Sequence, residues 1–433
     1  MLSLRVAKSF GFLPFENSVR CFRVVFPSLQ HQQVVQPMPV STEASGAENR
    51  MPFDPQEPTR SPTVVQRITA KRTTLQNPAD HTRDHEAFYY TVPNDHYDKY
   101  FGFRTLPSLF RDNVKSFQEC ALMIREPGLE VIECVKRSNP AFPPVRYCLF
   151  GRDGVGKTMT LAYLLHFFLS NRWLVFHMPR LVYWSRRYKE VQENTFKPGR
   201  IDLPVDSMEW LQHFLSQNGD LLKGSAESSN KILTHQKYIF SKREETPEGA
   251  PLLDVVELGI KRAKYANDCI GIIVKEMKLN AMDNRVKVAV VVDSVNALWG
   301  PTKIPRVDRT TVPPESLSLF THIKNAIKND WHNAAIVTTV DRVSMVDEPA
   351  LKDVSGNIFP RYLLKKDGWE AMDPFVPVSI TDYNDKEFTN AMDYYLEQRW
   401  FSDERVATQK GRDELKFVTN KNPKTLDLLA TRM

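Results

Sequence analysis

Short apolar runs alternate with amphipathic stretches along the chain from residue 145 onward. VRYCLF (145–150) predicts a buried strand, and a Gly-rich turn leads from it into TMTLAYLLHFFLS, a helix apolar on nearly every side. WLVFHM (173–178) predicts a second strand, KVAVVVD (287–293) a third, AAIVTTV (334–340) a fourth and FVPVSI (375–380) a fifth. Brief β-branched runs of this kind read as strands buried on both faces. The section between the second and third strands is mainly helical. DSMEWLQHFL opens with Asp206 and carries Glu209 three positions later, the spacing of a capping box. From 252 to 279, Val256, Ile260, Ala263, Ala266, Ile270, Ile273 and Met277 recur every three or four residues, with Lys261, Arg262, Lys264, Lys275 and Lys278 off the stripe. That pattern predicts one long amphipathic helix. PPESLSLFTHIKNAIKND puts Leu319, Ile323 and Ile327 on one helical face, and 385–430 reads as two or three helices. Strands alternating with helices predict an α/β fold, a parallel sheet covered on both faces, followed by a helical C-terminal bundle.

The N-terminal part breaks this rhythm. MLSLRVAKSFGFLPFENSVRCFRVVF spaces Arg5, Lys8, Arg20 and Arg23 among Leu, Phe and Val, against the single acid Glu16. Basic residues interrupt the apolar core a secretory signal needs, so 1–36 reads as a mitochondrial transit peptide, with a basic tail as the plainer alternative. Prolines at 37, 39, 52, 55, 58, 62, 78 and 93 mark 37–100 as an extended arm, with its aromatic end FYYTVPNDHYDKYF (88–101) beginning the folded part. The expected organisation is therefore a leader (1–36), an arm (37–100), a core (101–380) with a helical insertion (180–286), and a helical, lid-like segment (381–433).

Composition narrows the class. With 42% hydrophobic and 25% charged residues the chain is globular, and no apolar run approaches the roughly 18 residues of a membrane span. The formal charge is +6, about half of it in the first 36 residues. The remainder is mildly basic, which suits RNA contact within a larger assembly better than autonomous binding by charge. The five cysteines (21, 120, 134, 148, 269) form no C-x-x-C pair, so reduced thiols are expected rather than zinc or disulfides.

The chemistry lies in 151-GRDGVGKT-158. Gly151-x4-Gly156-Lys157-Thr158 is a complete phosphate-loop pattern between a strand and a helix. Glycines let Gly151, Arg152, Asp153, Gly154, Val155 and Gly156 turn their N–H groups inward around phosphates, and the helix start adds its positive dipole end. Lys157 supplies charge to the β- and γ-phosphates, and the Thr158 hydroxyl is a ligand for Mg2+. Asp293, closing KVAVVVD, is the acid expected to hold the metal through water. Hydrolytic relatives of the AAA type place Glu after that Asp; here Ser294 follows, and serine is no general base at neutral pH without help. Thr338, Thr339 and Asp341 end the fourth strand, where a polar sensor of the γ-phosphate belongs. No residue qualifies as the catalytic base, so turnover is expected to be slow or absent. Base identity stays open between GTP or GDP and ATP: Asn296 replaces the glycine of the small-GTPase signature. NKNP (420–423) imitates N-K-x-D imperfectly and, placed far into the C-terminal bundle, is set aside.

FGRDGVGKT, WLVFHMP, SKREETPEGAPLLDVVELGI, VDSVNALWG, KNDWHNAAIVTTV and DPFVPVSITDYNDKEF follow in an order and spacing that resemble the death-associated protein 3 family of the mitochondrial ribosomal small subunit. The resemblance covers nearly everything after about residue 85. It implies an AAA-like P-loop NTPase core, a bound guanine nucleotide, and a place in the head of the small subunit in the mitochondrial matrix. It also implies contacts to small-subunit rRNA and ribosomal proteins, bridges to the large subunit, and a link to programmed cell death. The absence of Glu after Asp293 fits that family. WGPTKIPRVDRTT (299–311), with Lys303, Arg306, Arg309 and Trp299, is a candidate rRNA-facing segment. Arg186-Arg187-Tyr188-Lys189 and Lys261-Arg262-x-Lys264-Tyr265 are similar clusters that solvated charged faces explain equally well. An active AAA-type remodelling enzyme and a nucleotide-dependent apoptotic switch are the competing readings.

Overall fold

The computed structural model describes residues 68–431 apart from 195, 225–231, 307–308 and 346–356. The leader and the arm as far as residue 67 lie outside the described residues. From residue 68 the arm already packs on the body. Lys71 N–H bonds Asn390 Oδ1 at 2.6 Å, Tyr89 N–H bonds the Lys71 carbonyl at 3.0 Å, and buried His81 meets the Tyr163 hydroxyl at 2.9 Å. Polar bonds rather than apolar burial tie this stretch down, so its Pro-rich composition conceals it.

In chain order the first elements are β1 (Tyr89–Val92), α1 (Asn94–Tyr100), α2 (Ser108–Phe117), β2 (Cys120–Met123) and α3 (Glu126–Arg137). Next come β3 (Val145–Phe150), α4 (Lys157–Ser170), β4 (Leu174–Met178), α5 (Val182–Arg186), β5 (Gln192–Glu193), β6 (Ile201–Asp202) and α6 (Pro204–Lys223). The second half holds β7 (Tyr238–Ile239), β8 (Glu245–Thr246), α7 (Leu252–Lys261), α8 (Ala263–Met282), β9 (Val288–Val292), α9 (Ser318–Ala326), β10 (Ala334–Thr339), α10 (Pro360–Met372) and β11 (Val376–Ser379). Helices α11 (Asp385–Glu397), α12 (Gln409–Thr419) and α13 (Pro423–Ala430) end the described chain.

All five predicted runs are strands of one parallel sheet in the order β11–β3–β10–β9–β4. Its period-2 alternation feeds two cores. Val288, Val290 and Val292 of β9 join a cluster with Trp210, Val256, Ile270, Ile273, Met277, Phe320 and Ile323. Ala289 and Val291 join the opposite cluster with Ile132, Leu161, Leu164, Leu165 and Phe168. Both faces are therefore covered, as continuous apolar strands require. The fold is the expected α/β class, and three helices follow the last strand.

Local departures have local causes. The stripe from 252 to 279 is two helices, broken at Arg262 (φ −131°, ψ 84°). The break lets α7 and α8 pack on each other; a Cβ at Gly259 would lie 3.0 Å from the Cys269 Cβ. Asp206 is not a cap: α6 starts two residues earlier with Pro204 in its first turn, and the Asp206 carboxylate accepts the Lys189 N–H at 2.9 Å. The antiparallel β1–β2 pair was not anticipated, because α1 and α2 separate its strands.

Arg146 fastens β3 to the turn before β11. Its buried guanidinium donates to the carbonyls of Ala371 at 3.0 Å, Asp373 at 2.7 Å and Pro374 at 3.2 Å. Arg146→Met leaves these carbonyls without charged donors, and we expect a stability loss of about 3 kcal/mol. A urea midpoint shift at unchanged slope measures it.

Candidate nucleotide site

The loop from Gly151 to Gly156 joins the end of β3 to the start of α4, and its glycines are sterically required. A Cβ at Gly151 would collide with the Ile380 carbonyl, just past β11. Gly154 adopts φ +85°, and its missing Cβ would lie 2.6 Å from Asn422 Oδ1 and 2.9 Å from the Lys424 Cβ. Gly156 (φ +100°) is the N-cap of α4. The loop therefore turns tightly while resting against segments from far along the chain.

Lys157 folds over this loop, its Nζ donating to the Gly151 carbonyl at 2.8 Å and the Arg152 carbonyl at 3.0 Å. Burial lowers the pKa of the amine, opposed by the charges of Asp153, Asp341 and Asp293. A desolvated cation bonded to loop carbonyls suits an arriving phosphate, which offers a stronger acceptor. Thr158 Oγ1 lies 3.2 Å from Asp293 Oδ2, so the two proposed metal residues meet although 135 positions apart. Asp293 is 5% exposed, and burial raises its carboxyl above the usual range. A divalent cation beside Thr158 fits this buried carboxylate.

The predicted sensors separate. Thr339 Oγ1 donates to Asp293 Oδ1 at 2.5 Å and accepts the Ser294 N–H at 2.8 Å. Thr338 points to the other face of β10 and donates to the Tyr147 carbonyl at 3.1 Å, so it does not belong to the site. Asp341 is occupied on both oxygens: Oδ1 accepts from Ser344 N–H at 2.9 Å and Oγ at 2.8 Å, and Oδ2 from Ser294 Oγ. Ser294 itself is left-handed (φ +65°). Neither group is free to take a proton from water. The Arg152 side chain turns outward to Asp382 at 3.3 Å, leaving only its backbone to the loop, and Val155 is buried.

The loop opens into a cavity of about 490 Å³, in the range of small-molecule sites. Residues that sequence reasoning missed line it. Arg180, after β4, bears on Asp293 electrostatically. Arg125 donates through Nη1 to the Val155 carbonyl at 2.7 Å and through Nε to Glu387 at 2.9 Å. NKNP is no distant segment: Lys424 N–H bonds the Gly154 carbonyl at 3.2 Å, and Asn422 Nδ2 bonds the Asp153 carbonyl at 3.1 Å. Asn422 is also the N-cap of α13, so it acts as a brace for the loop. No local motif announces these residues, because their geometry comes from tertiary packing.

The candidate RNA residues are exposed. Lys303, Arg306 and Arg309 sit on a turn closed by Arg306 N–H to the Thr310 carbonyl at 2.8 Å and anchored by buried Ile304 and Val312. Trp299 is not with them; it packs against Gly368, with Lys324 Nζ 5.4 Å from its ring centre. The other two clusters are engaged within the protein. Lys189 pairs with Glu209, Lys261 with Glu257, and Arg262 with Glu244, while Arg187 and Lys264 lie over Tyr183 and Tyr265.

Small ribosomal subunit protein mS29 of Mus musculus is 36% identical over 365 residues, 84% of this chain and 90% of that protein. Its Bos taurus counterpart is 36% identical over 366 residues, covering 84% and 89%. Among solved structures, a chain of the E. coli MS115-1 HORMA:CdnC:Trip13 complex aligns with 80% of this chain at 11% identity and a TM-score of 0.23, and nothing is drawn from it. The family model described as mitochondrial ribosomal death-associated protein 3 matches residues 122–429, from β2 to the last helix, and the chain belongs to that family.

Proposed function

We propose that this protein is a structural component of the mitochondrial ribosomal small subunit, in the matrix, that holds a guanine nucleotide with Mg2+ and hydrolyses it slowly or not at all. The observation that carries the nucleotide part is the meeting of Lys157, Thr158, Asp293 and Thr339 around one phosphate loop. The subunit and compartment rest on the relatives' names. Contacts to small-subunit rRNA and proteins, and bridges to the large subunit, belong to the same proposal, with Lys303, Arg306 and Arg309 as the rRNA-facing cations. A role in programmed cell death is the part of the resemblance that no described residue is assigned to.

Within this reading the loop amides and Lys157 bind the β- and γ-phosphates, and Arg180 adds charge from the turn after β4. Mg2+, held by Thr158 and through water by Asp293, supplies neutralisation of phosphate charge. Among the described residues none is placed as an evident base for water. The carboxylates lining the cavity are Glu119, Asp153 and Asp427, and Glu119 is paired with Arg72 at 2.8 Å. Asp341 and Ser294 are bonded to each other. This arrangement disfavours the remodelling-enzyme reading, and a retained nucleotide acts instead on stability. At about 1,000 times its dissociation constant a ligand adds roughly 4 kcal/mol.

Lys157→Ala removes the charge on the phosphates and should weaken binding roughly tenfold to a hundredfold. We expect lower nucleotide content after purification and reduced entry into the small subunit, read by sedimentation and chromatography of extracted nucleotide. Unchanged assembly by a nucleotide-free variant would remove the structural role of the ligand. For the intact protein with GTP and Mg2+, phosphate release should stay far below about 1 s⁻¹, the lower end of ordinary enzyme turnover. Faster release would favour the enzymatic reading.

A further inference from the structure

The cavity that begins at the phosphate loop is also walled by α2, the β1–β2 pair, α11 and α13, and most of that wall is apolar or aromatic: Phe110, Val114, Phe117, Tyr394 and Tyr395 line it. Into this wall α13 places one carboxylate. Asp427 lies one turn after Lys424, which bonds the Gly154 carbonyl, so it stands roughly 5 Å farther along the helix from the loop. Its Oδ1 is held by two donors, Asn113 Nδ2 at 2.6 Å and the Tyr395 hydroxyl at 3.1 Å, and Asn113 is itself 4% exposed. Oδ2 receives no hydrogen bond from the described residues. Asp427 is half-buried, so this carboxylate is fixed on one oxygen while the other is left to accept a donor from water or from a ligand in the cavity.

We infer that Asp427 reads the base of the bound nucleotide, its open oxygen accepting the N1–H and 2-amino donors of guanine. The inference rests on the reading that the cavity holds a nucleotide. The chemistry is selective. Guanine presents two adjacent donors on this edge, whereas adenine presents the N1 lone pair, which a carboxylate repels. A half-buried carboxylate in the pocket wall favours a ligand that brings a donor over one that presents a lone pair. Asn422, the residue of NKNP nearest the loop, has both ends of its amide engaged by Thr425, Asp153 and Asp382, so base reading passes to the next turn of the helix. Burial pushes the Asp427 carboxyl above the usual range, opposed by the bonds from Asn113 and Tyr395.

Titration of the full chain, stripped of nucleotide, with GDP, IDP, ADP and XDP tests the assignment. The wild type should prefer GDP, bind IDP (without the 2-amino group) more weakly, and bind ADP weakest. Asp427→Asn keeps an acceptor for Asn113 and turns an amide toward the cavity. It should lose roughly tenfold to a hundredfold in GDP affinity and bring XDP, whose C2 carbonyl accepts from that amide, level with GDP or above it. Equal wild-type affinity for GDP and ADP, or an Asp427→Asn variant with unchanged GDP affinity, overturns the inference while leaving the nucleotide site intact. Loss of GDP affinity with no gain for XDP assigns Asp427 to packing and overturns it too. Failure of the wild type to bind any of the four defeats the nucleotide-holding reading itself.

Discussion

The guanidinium of Arg125 is the joint on which the site depends. It is 8% exposed and donates to the Val155 carbonyl of the phosphate loop, to both oxygens of Glu387, and to the Thr381 carbonyl beyond β11, while lying over the Tyr383 ring. Desolvating a guanidinium is unfavourable unless its donors find partners, and Arg, with a planar fork, can serve several at once. Glu387 is engaged in turn: it forms the capping box of α11 with Asn384. The loop, the last strand and the C-terminal helices are thereby fixed against one another, and the cavity between them has a defined shape.

A second balance concerns charge. At the sheet's C-terminal edge the fold buries Asp293 with Thr158, Thr339 and the nearby Asp341, and sets Lys157 and Arg180 close by. Burial disfavours ionisation of the acid and of the amine alike. The proposed phosphate chain with its divalent cation would relieve both at once. Under the proposed reading the same enclosure would restrain hydrolysis, since Ser294 and Asp341 are bonded to each other.

The strands and the loop were legible in the sequence because their causes are local. Brief β-branched runs such as KVAVVV read as strands buried on two faces, and Gly151, Gly154 and Gly156 ahead of Lys157-Thr158 allow few other conformations. Thr338 and Thr339 show the limit: both were candidates, and only the pleat of β10 decides which faces Asp293. Arg262 shows another, since the apolar period continues through the break and only the packing of Gly259 against Cys269 requires it. Arg125 and Asp427 carry no motif, and Asn422 lies in NKNP, whose imperfect likeness to N-K-x-D gives no hint of its bracing role. Their roles arise from contacts across very long separations, 262 residues for Arg125 and Glu387.

That separation has a consequence for biogenesis. The Asn422 contact to Asp153 spans 269 residues. At synthesis rates of about 5–20 residues per second, the phosphate loop emerges roughly 13–54 s before the helix that forms the far wall of its pocket. Until α13 docks, the loop lacks the brace that Asn422 and Lys424 supply. If the pocket holds the proposed nucleotide, its enclosure forms only in a chain that includes those last helices, so truncation before residue 422 would spare the cradle and abolish the grip.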